Sequence, residues 1–449
     1  MAVETPAREV PAVEDAPILP PSQAATWTLI VLVIVNIINF YDRNVAGALT
    51  EPIRKEFHLS DTEVGWLGTI FTLLYAVIGL PLGRYADRGS RKRLLSAGVA
   101  IWGALTAFAF WARNYSMLLT SRLGVAVGEA ACAPTATSWI GDLFPPHRRA
   151  KPLALFMLGV PVGGALSYFL SGVTAQHFGW RVAMVVAAAP AVLMAPVILL
   201  LREPQRGASE SRKAAAPSSL RQILQVFRIP TFCWIIASGA LVNFNLYAIG
   251  TFLPAFFSRI HRLSLAKSGY ATGAVYAVGG ILGGVVAGYL GDFIIRHRTN
   301  GRMTAASLAA LAAAPLAYFG IQQSLGGLTA AVVLITLAYG FLNMYYGLVY
   351  SSIQDIVAPA LRGTVMSIYF CVMYLGGASF GPYITGKLSD HLARSAANAA
   401  GSAQITEAFK ATGLQQAMLV IPALSLGLAI VLWAASRTIA ADIQRHRAA

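Results

Sequence analysis

Residues 83–93 read Gly-Arg-Tyr-Ala-Asp-Arg-Gly-Ser-Arg-Lys-Arg, and residues 288–298 read Gly-Tyr-Leu-Gly-Asp-Phe-Ile-Ile-Arg-His-Arg. A glycine, an aspartate and two arginines recur at the same spacing in both segments. The pattern Asp-x-x-x-Pro-x-x-Arg also occurs twice, at 142–149 and 355–362. Two patterns duplicated in the same order indicate an internal repeat, so we predict that the chain consists of two similar halves.

The composition predicts that lipid surrounds most of the molecule. The chain has 449 residues, of which 56% are hydrophobic and 12% are charged, whereas about 25% are charged in an ordinary soluble domain. The net charge is +15, but the basic residues lie mostly in short loops between apolar stretches. That placement is typical of membrane proteins, and we expect no nucleic-acid partner.

Counting apolar stretches gives the fold class. A helix needs about 20 apolar residues to cross a bilayer, and twelve stretches qualify: 25–50, 62–84, 93–113, 116–141, 151–176, 180–201, 230–257, 268–291, 303–322, 327–354, 363–387 and 411–437. We therefore predict an all-α membrane protein with twelve transmembrane helices in two pseudo-symmetric six-helix halves. The predicted regions are a disordered tail at 1–24, halves at 25–201 and 230–437, a linker at 202–229, and a second tail at 438–449.

The distribution of basic residues predicts the orientation. The loops on the side of both termini, together with the tails, hold 22 of the 34 Lys and Arg residues, and the loops on the other side hold 10. By the positive-inside rule, both termini are expected in the cytoplasm of a multi-pass inner-membrane protein.

Four ionisable residues lie inside predicted spans: Asp42, Arg43, Arg122 and Glu129. Such residues are costly in hydrocarbon and mark function by default. At 1.5 Å per residue, Asp42 and Arg122 lie at similar depths on neighbouring helices, so they are expected to pair. We predict that Asp42 and Glu129 carry a coupling proton, and that Arg43 and Arg122 balance their charge or bind an anionic substrate group. The alternative is a structural ion-pair cluster that does not titrate.

The second half supplies polar groups without charge. Aromatic rings with hydroxyl tips suit an apolar ligand with a few polar atoms, although each of these residues alternatively serves interhelical packing. The candidate substrate-binding residues are Asn243, Asn245, Tyr247, Asn343, Tyr346, Tyr350 and Tyr369.

The duplicated loops predict a conformational latch. Gly83 is expected to let two helices approach closely, and Asp87 to cap a neighbouring helix N-terminus and pair with arginine. A latch that holds the cytoplasmic ends together favours an outward-open state, whereas the alternative is that these loops serve only topology and folding. The other latch candidates are Arg88, Arg91, Asp142, Arg149, Asp292 and Arg362.

Other chemistries find little support in the sequence. The three cysteines have no CxxC spacing and no histidine neighbour, so no metal site or cofactor is expected. The seven histidines are predicted to lie in loops or the tail, which leaves carboxylates as the proton carriers. No nucleophile set or Gly-rich phosphate loop is apparent, so the protein is not expected to be an enzyme.

The motifs quoted above resemble a known family. Segment 83–93 resembles the signature loop of the major facilitator superfamily, although Phe293 and Ile294 depart from that pattern in its second copy. Further motifs resemble the spinster family, and the resemblance runs from about residue 30 to about 395. These motifs are 39–43, Arg122 with 128–130, 142–144, 161–163, 202–204, and 381–383 with 389–390.

The resemblance implies a proton-linked carrier that moves a sphingolipid- or lysophospholipid-like molecule between the halves by alternating access. Asp42 and Glu129 match the family's protonation residues, and Arg43 and Arg122 match its basic positions. The alternatives are a proton symporter of sugar-acid-like organic anions, a broad-specificity drug exporter, and a channel or scramblase without coupling. Protons, membrane lipids and an amphipathic substrate are the expected partners of a monomer.

Overall fold

The computed structural model describes residues 22–145, 148–206, 226–295, 297–357 and 361–448. Within these ranges the side chains of residues 87, 150, 292, 295, 362–364 and 446–448 fall outside the description. Every regular element in the described ranges is a helix, and eleven helical segments are long and apolar enough to cross a membrane. Residues 1–21 of the tail predicted at 1–24 and residues 207–225 of the linker predicted at 202–229 lie outside the described residues, whereas Gln23 and Ala24 already belong to the first helix.

The described residues of the first half form nine α-helices. Several begin at a Ser or Asn whose side chain accepts an N–H of the first turn, which satisfies one of the unpaired donors there. At α3, Ser60 and Glu63 cap each other's backbone reciprocally. The helices are α1 (Gln23–Ala48), α2 (Thr50–Glu56), α3 (Asp61–Arg88), α4 (Arg91–Phe108), α5 (Tyr115–Glu129), α6 (Cys132–Leu143), α7 (Ala150–Met157), α8 (Gly159–Phe178) and α9 (Trp180–Leu200).

The predicted fourth span is divided into α5 and α6, each too short to cross a membrane alone. Residues 130 and 131 between them keep right-handed helical angles, so the two segments run on from one another. Pro134 provides a cause, because it has no N–H to give to the carbonyl of Ala130. With this interrupted span, the described helices confirm the prediction of twelve spans.

Nine α-helices are likewise formed by the second half, within the ranges that the structure describes. Two of its spans, the eighth and the eleventh, are each interrupted by one wider π-helical turn, at Val275–Gly279 and Tyr374–Ala378. The helices are α10 (Pro230–Arg259), α11 (Leu265–Ala274), α12 (Gly280–Ile295), α13 (Gly301–Ile321), α14 (Leu328–Ile356), α15 (Arg362–Met373), α16 (Phe380–Ala399), α17 (Glu407–Ala417) and α18 (Val420–Ala448).

Some boundaries differ from the prediction. The eleventh span was expected to end at residue 387, but α16 continues to Ala399. The segment after Lys387 is too polar for lipid, but it is rich in alanine, which favours a helix. His391 therefore lies within a helix rather than in a loop. His177, also predicted to lie in a loop, lies in the last turn of α8.

The bundle has two ends. We call the end where α1 begins and α18 finishes the terminal face, and the opposite end the distal face. Hydrogen bonds that join described residues of the two halves lie in the distal half of the bundle. They link Thr50 to Thr251, Arg54 to Glu407, Asp61 and Thr62 to Asp390, Thr69 to Ser379, Tyr168 to Gly250, Gln176 to Ala266, Arg259 to Glu51 and Asp61, and Ser389 to Asp61.

Two glycines allow α3 and α16 to cross closely near the distal face. A Cβ atom added at Gly65 would lie 2.5 Å from the carbonyl oxygen of Pro382, and one added at Gly386 would collide with the carbonyl oxygen of Asp61. Backbone contact of this kind requires small residues at the crossing. The halves are therefore packed against each other at the distal face.

Candidate functional site

Four charged side chains lie together in the interior of the first half. Asp42, on α1, is fully buried and pairs with Arg122 of α5 at 3.3 Å. The hydroxyl of Thr106, on α4, donates to its other oxygen at 2.6 Å. The pair expected from the depths of Asp42 and Arg122 is thus present, and both carboxylate oxygens of Asp42 have partners.

The second pair involves the neighbouring residue of α1. Nε of Arg43 lies 3.2 Å from Oε2 of the fully buried Glu129. The guanidinium also stacks over the ring of Tyr75, 4.3 Å from its centroid. The other oxygen of Glu129 is buried and has no hydrogen-bond partner in the described structure. We call Asp42, Arg43, Arg122 and Glu129 the charge cluster.

The electrostatics of the charge cluster follow from its burial. A charged side chain at the centre of a bilayer costs about 2.5–3.5 kcal/mol on insertion scales, so four such residues are tolerated only because they neutralise each other in pairs. Removing one partner leaves an uncompensated buried charge, which costs about 3–5 kcal/mol. An arrangement of this kind can bind a proton at a carboxylate or an anion at a guanidinium, and either event changes the net charge of the cluster.

The wall opposite the charge cluster is aromatic. The ring of Tyr374 in the second half lies 5.5 Å from that of Tyr75 and 6.1 Å from that of Tyr247. Tyr346 donates to the amide oxygen of Asn243 at 3.0 Å, and its ring meets that of Tyr350 at 5.3 Å. The partly exposed members of the predicted set are Tyr247, Asn343, Tyr346 and Tyr350.

Three residues predicted to bind substrate are buried: Asn243, which accepts a hydrogen bond from Tyr346, and two that are packed between helices. Asn245 is fully buried, and its amide donates to the carbonyl of Ile421 and the hydroxyl of Ser425 on α18. Tyr369 is fully buried as well, and its hydroxyl lies 2.9 Å from that of Tyr345. For both residues the packing alternative describes the structure, because each side chain points into the second half.

Three tyrosines between the halves were not predicted from the sequence. Tyr168 of α8 meets Tyr276 across the interface with ring centroids 4.8 Å apart, and Tyr339 lies 4.7 Å beyond it. The hydroxyl of Tyr168 donates to the carbonyl of Gly250 at 2.7 Å. We call these three rings the tyrosine stack. Gly164 and Gly250 make room for it, because a Cβ atom added at either position would touch Tyr276. In the sequence, these two isolated glycines are the only sign of the stack.

An ionic network at the distal face was not predicted from the sequence, where its arginines entered only the count of loop charges and Asp390 only the motif at 389–390. Arg259, at the end of α10, binds Glu51 at 2.6 Å and Asp61 at 2.7 Å in the other half. Arg54 binds Glu407 at 2.6 Å, again across the halves. Asp390 accepts the N–H groups of Asp61 and Thr62, so a carboxylate of the second half caps α3 of the first. We call Glu51, Arg54, Asp61, Arg259, Asp390 and Glu407 the distal network.

At the terminal face, the described contacts of the first loop centre on Arg91 and two carboxylates. Arg91 is fully buried and binds both Asp142 and Glu203. Glu203 accepts the backbone N–H of Arg91 and the hydroxyl of Ser90, and so caps α4 in the way expected of Asp87, whose side chain is outside the description. All these contacts lie within the first half and the start of the linker that follows it.

The other latch candidates have local roles where they are described. Arg149 donates to the carbonyls of Gly141 and Phe144 at the end of α6, and Arg88 is exposed. The expectation that Gly83 sits at a close helix approach is wrong for this structure, because an added Cβ would have its nearest neighbour, in Pro134, at 3.9 Å. The side chains of Asp292 and Arg362 lie outside the described residues.

The stabilisation that Glu203 gives to the start of α4 is expected to depend on pH. Partial burial raises the pKa of Glu203, but the hydrogen bonds from the Arg91 N–H and the Ser90 hydroxyl outweigh it and hold the pKa below the usual glutamate value. The stabilisation is therefore present above about pH 4.3 and is lost as the pH falls through the lowered pKa. We expect Glu203→Gln to lower the free energy of unfolding by about 1 kcal/mol at pH 7. Thermal unfolding in detergent at pH 7 and near pH 3 measures this, and an equal loss at both pH values would contradict it.

Comparison with known proteins assigns the family. The model of the Major Facilitator Superfamily matches residues 32–382, which is most of the chain. The chain belongs to this superfamily. Its twelve spans in two halves are the major facilitator fold.

Individual relatives support the assignment to this superfamily. An MFS-type efflux pump of Mycolicibacterium smegmatis is 30% identical and covers 93% of this chain and 94% of its own length. Protein spinster homolog 1 of Mus musculus is 29% identical over 83% of this chain and 74% of its own length. The crystal structure of a bacterial homologue of the human lysosomal transporter spinster, in an inward-facing and unoccupied conformation, has a TM-score of 0.84 and 27% identity, covering 94% of this chain and 99% of that one.

Proposed function

We propose that this major facilitator protein is a proton-coupled secondary transporter of an amphipathic, sphingolipid- or lysophospholipid-like molecule, working by alternating access. One observation carries the proposal: three buried charges and the partly exposed Arg43 in the first half share the centre of the bundle with an uncharged aromatic wall of the second. Because buried charges are expensive in a membrane, a function that needs them is the simplest reason for their presence.

Within the charge cluster, Glu129 is the stronger candidate for the coupling proton. Asp42 has partners on both oxygens, whereas Glu129 has one oxygen that is buried without a partner. A carboxyl with an unused oxygen can accept a proton there without breaking its bond to Arg43. Protonation weakens the hold on Arg43, which then becomes available to an anionic group.

The packing of the halves supports alternating access. With both termini in the cytoplasm, as the excess of basic residues on that side predicts, the distal face is extracellular. The distal network and the tyrosine stack then close the extracellular side, which is the inward-facing arrangement. Conversion to the outward-facing conformation requires these contacts to separate while the terminal face closes.

The chemistry of the two walls favours an amphipathic substrate. A polar or anionic head suits Arg43, which is partly exposed at the centre. The rings of Tyr247, Tyr346 and Tyr350 offer apolar surface with hydroxyl tips for the rest of the molecule. A sugar acid would leave most of this aromatic surface without a matching apolar partner.

A second candidate function is the efflux of lipophilic drugs. It rests on the relative named as an MFS-type efflux pump, which matches the chain over nearly its whole length. The same aromatic wall suits lipophilic cations, which bind the faces of tyrosine rings. In this case, Glu129 rather than Arg43 is the group that recognises the substrate.

A panel of substrates in proteoliposomes tests these alternatives. Purified protein is reconstituted, a pH gradient is applied, and the accumulation of lysophospholipids, sphingoid phosphates, hexuronates and lipophilic cations is compared with that in the absence of the gradient. We expect gradient-dependent accumulation of a lysophospholipid or sphingoid phosphate. Accumulation of lipophilic cations alone supports the efflux function instead, and flux that ignores the gradient contradicts proton coupling.

A further inference from the structure

The second half carries a large crevice on its outer surface, away from the centre of the bundle. Its volume is about 850 Å³, and it is formed by the end of α12, the start of α13, and parts of α14 and α18. We call it the outer crevice, and it shares no residue with the charge cluster, the tyrosine stack or the predicted substrate-binding set. Its lining residues Phe293, Leu308 and Trp433 are 65%, 60% and 52% exposed, so the crevice opens toward lipid.

The polarity of the outer crevice changes along its length. His297, Arg298 and Asn300 line it at the terminal face, in the turn between α12 and α13, and Arg437 joins them from α18. Farther into the membrane the lining becomes apolar. Leu308 lies eight residues along α13 from Asn300, which is about 12 Å of helix. A polar end at the membrane surface and an apolar groove leading inward match the shape of a phospholipid.

The charge at the polar end is positive and uncompensated. The described lining of the outer crevice contains no Asp or Glu. Neither Arg298 nor Arg437 has an ion-pair partner in the part of the chain that the structure describes, and both side chains are exposed. By contrast, the nearby Arg302 pairs with Asp355 at 2.9 Å.

Two further features orient an anion at this end. The guanidinium of Arg437 stacks on Trp433, 4.9 Å from the ring centroid, which fixes its plane and leaves its N–H groups available. The α13 helix begins at Gly301, a lining residue, and no side chain caps its N-terminus. An uncapped helix N-terminus adds partial positive charge beside the two arginines.

We propose that the outer crevice binds one anionic phospholipid from the surrounding leaflet. The phosphate lies against Arg298, Arg437 and the start of α13, and an acyl chain follows the groove past Leu308. A lipid is the occupant that fits both ends, because the phosphate and the acyl chain arrive on one molecule. This site is separate from transport: the lipid it holds is resident, and its binding does not depend on the substrate or the proton.

Quenching of tryptophan fluorescence by brominated lipids tests the proposal, since Trp433 lines the crevice. The full-length protein is reconstituted in vesicles of phosphatidylcholine and phosphatidylglycerol, with either lipid replaced by its brominated form. The Trp433 contribution is the difference between the protein and its Trp433→Phe variant. One basic residue near a membrane surface contributes about 1 kcal/mol, or about fivefold in affinity. We expect Trp433 to prefer brominated phosphatidylglycerol at least about fivefold.

Charge-matched variants make the test specific. Arg298→Gln with Arg437→Gln is expected to abolish the preference, and each single variant to reduce it. The control is Arg93→Gln with Arg228→Gln, which removes the same charge from exposed positions at the same face, and it is expected to retain the preference. Equal quenching by both lipids in the unaltered protein overturns the proposal, as does loss of the preference in the control. Relief of quenching by soluble glycerol phosphate also overturns it, because it shows a site for free anions.

Discussion

Glu129→Gln is expected to abolish proton-driven accumulation of the substrate while leaving the exchange of substrate across the membrane intact. With one proton coupled to each substrate molecule, a gradient of about two pH units supports about 100-fold accumulation, since each unit corresponds to about 1.4 kcal/mol. The glutamine keeps the size of the side chain and an oxygen for Arg43, but it cannot take up a proton. The accumulation ratio in proteoliposomes is therefore expected to fall from about 100 to about 1.

Glu56→Gln is the matched control for this experiment. Glu56 is a partly exposed glutamate at the distal face that pairs with Arg181 within the first half, so its removal alters charge without touching the charge cluster. It is expected to leave accumulation unchanged. Counterflow of labelled substrate at equal pH shows that the Glu129→Gln protein is folded and can still turn over. Accumulation at the normal ratio by Glu129→Gln would show that this carboxyl does not carry the coupling proton.

Arg259→Gln is expected to open the distal face. Arg259 is the arginine that joins Glu51 and Asp61 across the halves, and all three side chains are almost fully buried. Removing it leaves Asp61 without its ion-pair partner and Glu51 with Arg54 alone, and breaking a buried pair costs about 3–5 kcal/mol. A shift of that size changes the ratio of the two conformations by more than about 100-fold. Most molecules are therefore expected to leave the distally closed state.

Double electron–electron resonance between two spin labels measures this opening. The labels are placed at Ser116 and Ser395, which are exposed in opposite halves. The three native cysteines are first replaced by alanine or serine. The expected result is a longer distance in Arg259→Gln, and also in Gly386→Val, where a clash with the Asp61 carbonyl opposes closure by steric means alone. Arg181→Gln breaks an ion pair at the same face but within one half, and is expected to keep the short distance. An unchanged distance in both Arg259→Gln and Gly386→Val is incompatible with a closure held by these contacts.

The sequence predicted best what depends on position along a single helix. The depth of Asp42 on the first span and of Arg122 on the fourth follows from counting residues, and this was enough to predict their pairing. Hydrophobic length likewise gave all twelve spans, including the one that Pro134 interrupts.

The sequence predicted less well what depends on the rotation of a helix or on contact between halves. Tyr346 and Tyr350, four residues apart, share a face of α14 that is partly exposed, whereas Tyr369 and Asn245 face into the second half. Composition does not distinguish these two environments, because a tyrosine or an asparagine is acceptable in both. The distal network joins α2, α3, α10, α16 and α17, so its existence depends on how the two halves dock, which no local pattern encodes.

The charge cluster belongs entirely to one half of the bundle, and in its paired form it is neutral, with two acids and two arginines. Uptake of one proton gives it a charge of +1, which an anionic substrate cancels and a zwitterionic one does not. A membrane voltage therefore acts on the loaded carrier according to the charge of the substrate. The dependence of the transport rate on voltage, measured as current across a planar bilayer or in whole cells, reads out the ionic state of the transported molecule without any structure of the complex.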